Sequence, residues 1–392
     1  MGQLARGSIG ILPAGALGVS FYYHLTRSLA AQDDSVFFVE RAGSRSAATL
    51  RNAGRLQILD AKGSHRVDLS TRLHGDLEAC SREGRLPELL LVCPNPDQLL
   101  PSLSACVGLL ETAHSRQGLT LDDLPLPALA LCSNGIYFQR IRQVFIEKLE
   151  EATLMGRLPD LWPHLMPRIV GKLLRGVTIQ TGIRDGEGAE AQYSPGPPGV
   201  TKIAGGDTAT RHRAHALLRE RGLHVELAEG ATPTRVEFDK AMVNLVANLL
   251  GQLSAIGEDG RFTVVTIGDV LRIVGAARIR SLGERVVEIG RAVRAYGAEE
   301  SAGPIIEEVI ANLREHSAHI PSSVQWLDLR QGRGEPVREI SPTELWLLDP
   351  LIHYARSADL QEAVHYFESL KREIQSRLAK LVVNARQTPG PT

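Results

Sequence analysis

The sequence has no stretch of about 18 uninterrupted apolar residues, which excludes a transmembrane helix. It has no Cys-x-x-Cys pair either. Its four cysteines, Cys80, Cys93, Cys106 and Cys132, fall in one third of the chain. That arrangement argues against a zinc site or a disulfide framework and for reduced cytosolic thiols. There is no surplus of charge: 44 Lys and Arg stand against 45 Asp and Glu, a formal net charge of −1. Proteins that neutralise nucleic-acid phosphates usually carry a basic excess, so no nucleic-acid partner is expected. Gly-x-Ser-x-Gly, His-Glu-x-x-His and Walker-type sequences are missing too, which removes the commonest hydrolase and nucleotide-triphosphatase readings.

What is present is ordinary for a soluble globular protein. Apolar residues make up 43% and charged residues 23% of 392, enough for two domains. The run from Ile9 to Tyr23 is apolar and follows Arg6, as in a signal peptide. However, Pro13, Gly15 and Gly18 within it fall in strand-turn-helix order, and no small-residue cleavage site precedes the polar AAQDDS. The run is read as structure, no membrane association is expected, and a cytoplasmic location follows.

The first 135 residues alternate short apolar runs with amphipathic stretches. Ser8–Leu12, Ser35–Glu40, Leu89–Cys93 and Ala128–Cys132 have strand length, the last two being continuous apolar runs of the kind a parallel sheet buries on both faces. Helices are expected at Ala16–Ala30, Ser46–Asn52, Gln98–Thr112 and Arg140–Glu150, with a hairpin from Leu56 to Leu69 turned at Lys62-Gly63. Such alternation predicts a doubly wound, Rossmann-like α/β sheet. GVTIQTGI and GVTKIAGG read as further strands flanking a Gly/Pro/Glu-rich stretch, DGEGAEAQYSPGPPG, expected to be a mobile loop. Past Gly230 the strand signals fade. Helical spacing runs through Arg235–Ile256, Ile267–Ile279, Glu284–Tyr296, Pro304–His316, Ser341–Arg356 and Asp359–Val383. The expected organisation is an α/β domain over residues 1–230 and an α-helical domain over 231–392, ending in a frayed tail.

Three segments carry candidate chemistry. The first is Pro13-Ala14-Gly15-Ala16-Leu17-Gly18, between the first strand and first helix. In dinucleotide folds the glycines of G-x-G-x-x-G let the chain turn tightly and approach a pyrophosphate, which rests on the helix N-terminus. Here Pro13 replaces the first glycine. An acidic residue, Glu40, ends the second strand 22 positions after Gly18, and Arg41 follows it. A carboxylate there grips the ribose hydroxyls of NAD, whereas a guanidinium accommodates the extra phosphate of NADP; both are present, and Arg41 tilts the reading to NADPH over NADH.

The second segment is EFDKAMVNLVANLLGQL. Lys240, Asn244 and Asn248 recur at i, i+4, i+8, so a regular helix would set them within an arc of about 80° opposite an apolar stripe. Asparagine is a poor interior helix residue, so the pattern suggests a binding face, although an exposed polar face is equally consistent with the spacing. The third segment, Pro321–Ile340, holds Ser322, Ser323, Asp328, Glu335 and Glu339. Alone it reads as a serine-capped helix start followed by a charged turn. Two histidine pairs, His212/His215 and His316/His319, lack a third ligand and read as surface residues, so no metal is expected.

Taken in order, these segments resemble the ketopantoate reductase (2-dehydropantoate 2-reductase) family of the 6-phosphogluconate-dehydrogenase-like group. The resemblance covers most of the chain: PAGALG, VERAGSRSAATLRNAG, the Ser-Asn-Gly of 133–135 after a late strand, the Lys240/Asn244/Asn248 helix, and the serine pair leading to Asp328 and a glutamate. It implies an NAD(P)-dependent oxidoreductase of pantothenate biosynthesis type, reducing a 2-keto acid to the 2-hydroxy acid. Lys240 would be the general acid and Glu339 its orienting carboxylate, with Glu335 competing because the serine-to-glutamate gap is long. Asn244, Asn248 and Ser323 would hold the substrate, and Asn134 would sit between nicotinamide and substrate. The family's lysine near the cofactor is replaced in CPNPDQ, with Asn95 the nearest match. The expected partner is a small keto acid, and a homodimer is permitted. A non-catalytic dinucleotide-binding sensor of the same fold and an opine-type dehydrogenase are the alternatives.

Overall fold

A computed structural model describes residues 4–27, 33–41, 44–186 and 188–381, with the side chains of residues 45 and 46 left aside. The chain divides into two compact units, Met1–Pro233 and Thr234–Thr392.

The first unit is built on an eight-stranded sheet. Its strands are β1 (Leu4–Leu12), β2 (Val36–Val39), β5 (Leu73–His74), β6 (Leu86–Val92), β7 (Ala128–Leu131), β8 (Leu173–Thr178), β11 (Thr201–Gly205) and β12 (Val225–Leu227). The order is β12-β11-β8-β7-β6-β1-β2-β5, parallel throughout except that β11 runs antiparallel to β8. Crossover helices α1 (Ala16–Thr26), α2 (Arg45–Ala53), α3 (Leu77–Arg82), α4 (Leu99–Gln117), α5 (Phe138–Leu154), α6 (Leu165–Val170) and α7 (Thr208–Glu220) link them. The reason for parallel pairing is visible in the strands: all four residues of β2 (VFFV) and of β7 (ALAL) are buried, a pattern only a sheet covered on both faces can satisfy. The chain leaves β1 toward β2 on one side and later returns to β6 on the other, so the sheet has its topological switch point between β1 and β6. Ligands of doubly wound folds bind beyond the carboxyl ends of the strands at such a point.

A second, four-stranded sheet of order β4-β3-β10-β9 uses β3 (Arg55–Asp60), β4 (Gly63–Asp68), β9 (Gly182–Asp185) and β10 (Gln192–Pro195). The β3–β4 hairpin forms as the sequence predicts, but its turn is Ala61-Lys62, one residue before the expected Lys62-Gly63, because Gly63 already pairs with Asp60. The Gly/Pro/Glu-rich stretch is not a loop throughout, contrary to expectation: it contains β10. Ala191 and Tyr193 supply buried side chains, and Gln192 and Tyr193 pair in parallel with Gln57 and Ile58 of β3, so a distant strand supplies the partner that local composition could not reveal.

The second unit is helical among its described residues: α8 (Pro233–Asn244), α9 (Leu250–Ala255), α10 (Ile267–Val274), α11 (Ala276–Ala292), α12 (Ala302–Glu315), α13 (Ser322–Gly332), α14 (Pro342–Ser357) and α15 (Gln361–Lys380). Between α8 and α9 the backbone runs through a π-helical turn, Leu245–Leu249, so the helix expected over Arg235–Ile256 is continuous in direction but not in register. The helix expected over Ile267–Ile279 ends early, because Gly275 adopts φ 77° and starts a new helix. The expected last turn of the first helix, to Ala30, and the C-terminal tail lie outside the described residues. No described helix is long and apolar enough to cross a membrane.

Candidate functional residues

In the first unit, the turn after β1 is tight. A Cβ on Gly18 would lie 2.1 Å from the Pro13 carbonyl oxygen, so only glycine lets α1 start this close to the strand. A Cβ on Gly15 would meet nothing nearer than a Pro13 ring carbon at 3.8 Å, ordinary van der Waals contact, so the turn has room for a methyl group there. Gly15 is the N-cap of α1, and no side chain caps this helix. The amides of Ala16 and Leu17 in its first turn are therefore the donors an anion would meet, with the helix dipole behind them.

Glu40 behaves differently from a free ribose ligand. It is 2% exposed, and its Oε1 accepts a 2.9 Å hydrogen bond from the Ala14 amide, while its Oε2 is buried with no hydrogen-bond partner. Burial raises its pKa, against the pull of the Ala14 amide and of the Arg41 and Arg51 guanidiniums. Tyr193 of β10, which sequence reasoning missed, donates its hydroxyl to the Ala14 carbonyl at 3.2 Å. Both polar groups of Ala14 are thus held by side chains of this chain, and the turn is fixed in place.

Beyond β6 and β7 the loops that carry Asn95 and Asn134 are tied together, since the Ser133 hydroxyl donates to the Pro94 carbonyl. Both asparagines are exposed. The glycine turn, Glu40, Asn95 and Asn134 therefore all follow the carboxyl ends of β1, β2, β6 and β7, four neighbours in the sheet. The residues fit a dinucleotide there in three respects: a glycine at the helix N-cap with space for a methyl group, amides at α1 without a side-chain cap, and an orphaned carboxylate oxygen on Glu40. Pro13 offers no amide, and Ala14 has spent its own on Glu40.

In the second unit, Lys240 and Asn244 remain on one helical line. Lys240 is half-buried, and burial alone lowers its pKa to about 8; no carboxylate contributes. Asn244 is 5% exposed. Among the described residues neither side chain has a hydrogen bond or ion pair. Asn248 lies inside the π turn, where the Leu250 amide reaches back to the Leu245 carbonyl. Its Oδ1 accepts from the Ser322 hydroxyl at 3.1 Å, and its own carbonyl accepts the Ser323 hydroxyl at 2.9 Å. The structure thus brings Asn248 together with the serine pair that sequence order alone could only list.

The glutamates separate. Glu339 is exposed, Glu335 is ion-paired with Arg330 at 2.7 Å, and neither influences Lys240. Glu344, in the first turn of α14, went unnoticed in the sequence. It is 6% exposed, its Oε2 is buried without a partner, and burial pushes its pKa up to about 7.

No protein-family model matches the chain, and no curated protein matches it. Solved structures match in fold. The ternary complex of D-mandelate dehydrogenase with NADH and anilino(oxo)acetate is 15% identical, over 95% of this chain and 98% of that one, with a TM-score of 0.60. The 2-dehydropantoate 2-reductase from Porphyromonas gingivalis W83 is 13% identical, over 94% of this chain and 98% of that one, with a TM-score of 0.57. The corresponding enzyme from Methylococcus capsulatus is 15% identical, over 94% and 98%, with a TM-score of 0.54.

Proposed function

We propose that this chain, whose Rossmann-like sheet and helical second unit make the fold of the 2-dehydropantoate 2-reductases and D-mandelate dehydrogenase, reduces a 2-keto acid to the 2-hydroxy acid with a nicotinamide dinucleotide. The observation that carries this reading is Lys240: a half-buried amine with pKa about 8, free of any ion pair among the described residues. An amine so poised is mostly protonated at neutral pH yet gives up its proton readily, as a general acid for a ketone must.

The dinucleotide, when bound, supplies a hydride to the keto carbon. Ala16 and Leu17 would hold its pyrophosphate by their amides, beside Gly15, and Asn95 and Asn134 would meet the nicotinamide end. The Lys240 ammonium would stabilise the negative charge that develops on the carbonyl oxygen and give it its proton, leaving a neutral amine and the 2-hydroxyl group. Asn244 would hold the substrate's polar groups. Asn248 and Ser323, engaged with each other's segments, would keep the π turn and hence the helix in register. NADPH is favoured over NADH: Glu40 is turned inward on Ala14, whereas Arg41 and Arg51 act on the same strand end and suit a 2′-phosphate.

NADPH fluorescence titration followed by turnover assays with 2-dehydropantoate and an aryl 2-keto acid tests this reading. Lys240→Ala should cut kcat by about 10²–10⁴-fold while leaving NADPH binding intact. A variant as active as the parent removes Lys240 from the chemistry. A second reading, a dinucleotide sensor without catalysis, rests on the absence of a carboxylate influencing Lys240. Tight NADPH binding with no turnover of either acid would favour it.

A further inference from the structure

The register of the main sheet sets Arg175 of β8 directly opposite Leu131, the last residue of β7. All six residues of β8, LLRGVT, are buried, the arginine among them. Arg175 itself is 2% exposed. Its Nη1 donates to the carbonyls of Leu131 at 2.5 Å and Gly176 at 3.0 Å, and its Nη2 to those of Ser133 at 2.8 Å and Gly135 at 3.3 Å. The guanidinium also lies 4.6 Å from the centre of the Tyr137 ring, whose hydroxyl donates to the Ser133 carbonyl at 2.9 Å. Gly135 takes φ 124°, which an L side chain resists, and so lets the loop fold back over the guanidinium.

Burying a guanidinium is costly unless its donors are satisfied. Here Nη1 is spent on the strand carbonyls of Leu131 and Gly176 and Nη2 on the loop between β7 and α5, and that loop presents one exposed side chain between buried neighbours, Asn134. We infer that Arg175 is a positioning residue that holds Asn134 in the orientation a nicotinamide dinucleotide requires; this rests on the reading under Proposed function. Arginine suits the task and lysine does not, because only a planar fork of five donors reaches carbonyls on both sides at once.

The test compares NADPH affinity, by fluorescence titration, with amide hydrogen exchange across residues 133–137 in the full chain. Arg175→Met should weaken NADPH at least tenfold and speed exchange in that segment at least tenfold. Arg175→Lys, which keeps the charge, should not rescue either. Tyr137→Phe removes one hydroxyl bond to the same loop and should move both readouts about threefold in the same direction, which serves if the Arg175 variants do not fold. Asn134→Ala should weaken NADPH with exchange in the neighbouring amides unchanged, since its side chain is exposed. Parent-like affinity in Arg175→Lys, or unchanged exchange in Arg175→Met or Tyr137→Phe, overturns the positioning role. A parent chain that binds neither NADPH nor NADH overturns the dinucleotide reading itself, and the two failures are told apart by that one titration.

Discussion

Lys240 is an amine that folding makes more acidic, and its two protonation states have opposite uses. Below pH 8 it is charged and can donate, while above pH 8 it is increasingly neutral. Keto-acid reduction should therefore hold steady up to about pH 8 and fall about tenfold per unit beyond it, with the reverse oxidation rising over the same window. A pH–rate profile checks this, and a reductive rate that stays flat to pH 10 excludes Lys240 as the donor. The candidate residues that sequence spacing offers share a reason: Gly15, Gly18 and Lys240 each belong to one turn or one helix, where spacing is geometry. Arg175 and Glu344 were not readable, because what makes them matter is burial, and burial comes from strands and helices remote in the chain. Even so, an arginine inside the apolar run LLRGVT was a visible anomaly.

At the scale of elements, α1 is the most constrained piece. Its start is set by the contact of Gly18 with the Pro13 carbonyl, so Gly18→Ala must push helix and strand apart. A loss of about 1–3 kcal/mol is expected, with NADPH binding abolished. Gly15→Ala has room for its methyl group and should leave thermal stability within about 0.5 kcal/mol, yet weaken NADPH by filling that space. Thermal melts paired with titrations distinguish the two, and equal stability losses would refute the geometry. The periodicity predicted most of these elements, since β7 and α1 announce themselves by composition. It could not predict β10, whose partner β3 lies more than a hundred residues earlier, nor the π turn at Leu245–Leu249, because a single widened turn leaves a 3.6-residue pattern almost unchanged.

Over the whole molecule, two buried groups tax the native state in opposite pH directions. Lys240 ionises near pH 8 when folded against 10.5 when unfolded, so its cost is full below pH 8 and disappears as the pH rises toward 10.5. Glu344 titrates near pH 7 when folded against 4.5 when unfolded, so its cost is full above pH 7 and disappears as the pH falls toward 4.5. Only between pH 7 and 8 are both costs present in full. Neither group contributes to the other's shift, so their effects should add. Lys240→Met should stabilise the chain by about 1–3 kcal/mol at pH 7.5, Glu344→Gln by a similar amount, and the double variant by the sum. That combined gain should shrink toward its Lys240 part at pH 5 and its Glu344 part at pH 10. Denaturant unfolding at the three pH values measures it, and a gain independent of pH would mean that neither group carries its burial as a charge. A fold that withdraws an amine and a carboxylate from water at neutral pH, neither with an ion pair among the described residues, is expected to have a use for at least one, and the amine is the one whose lost proton a rate can report.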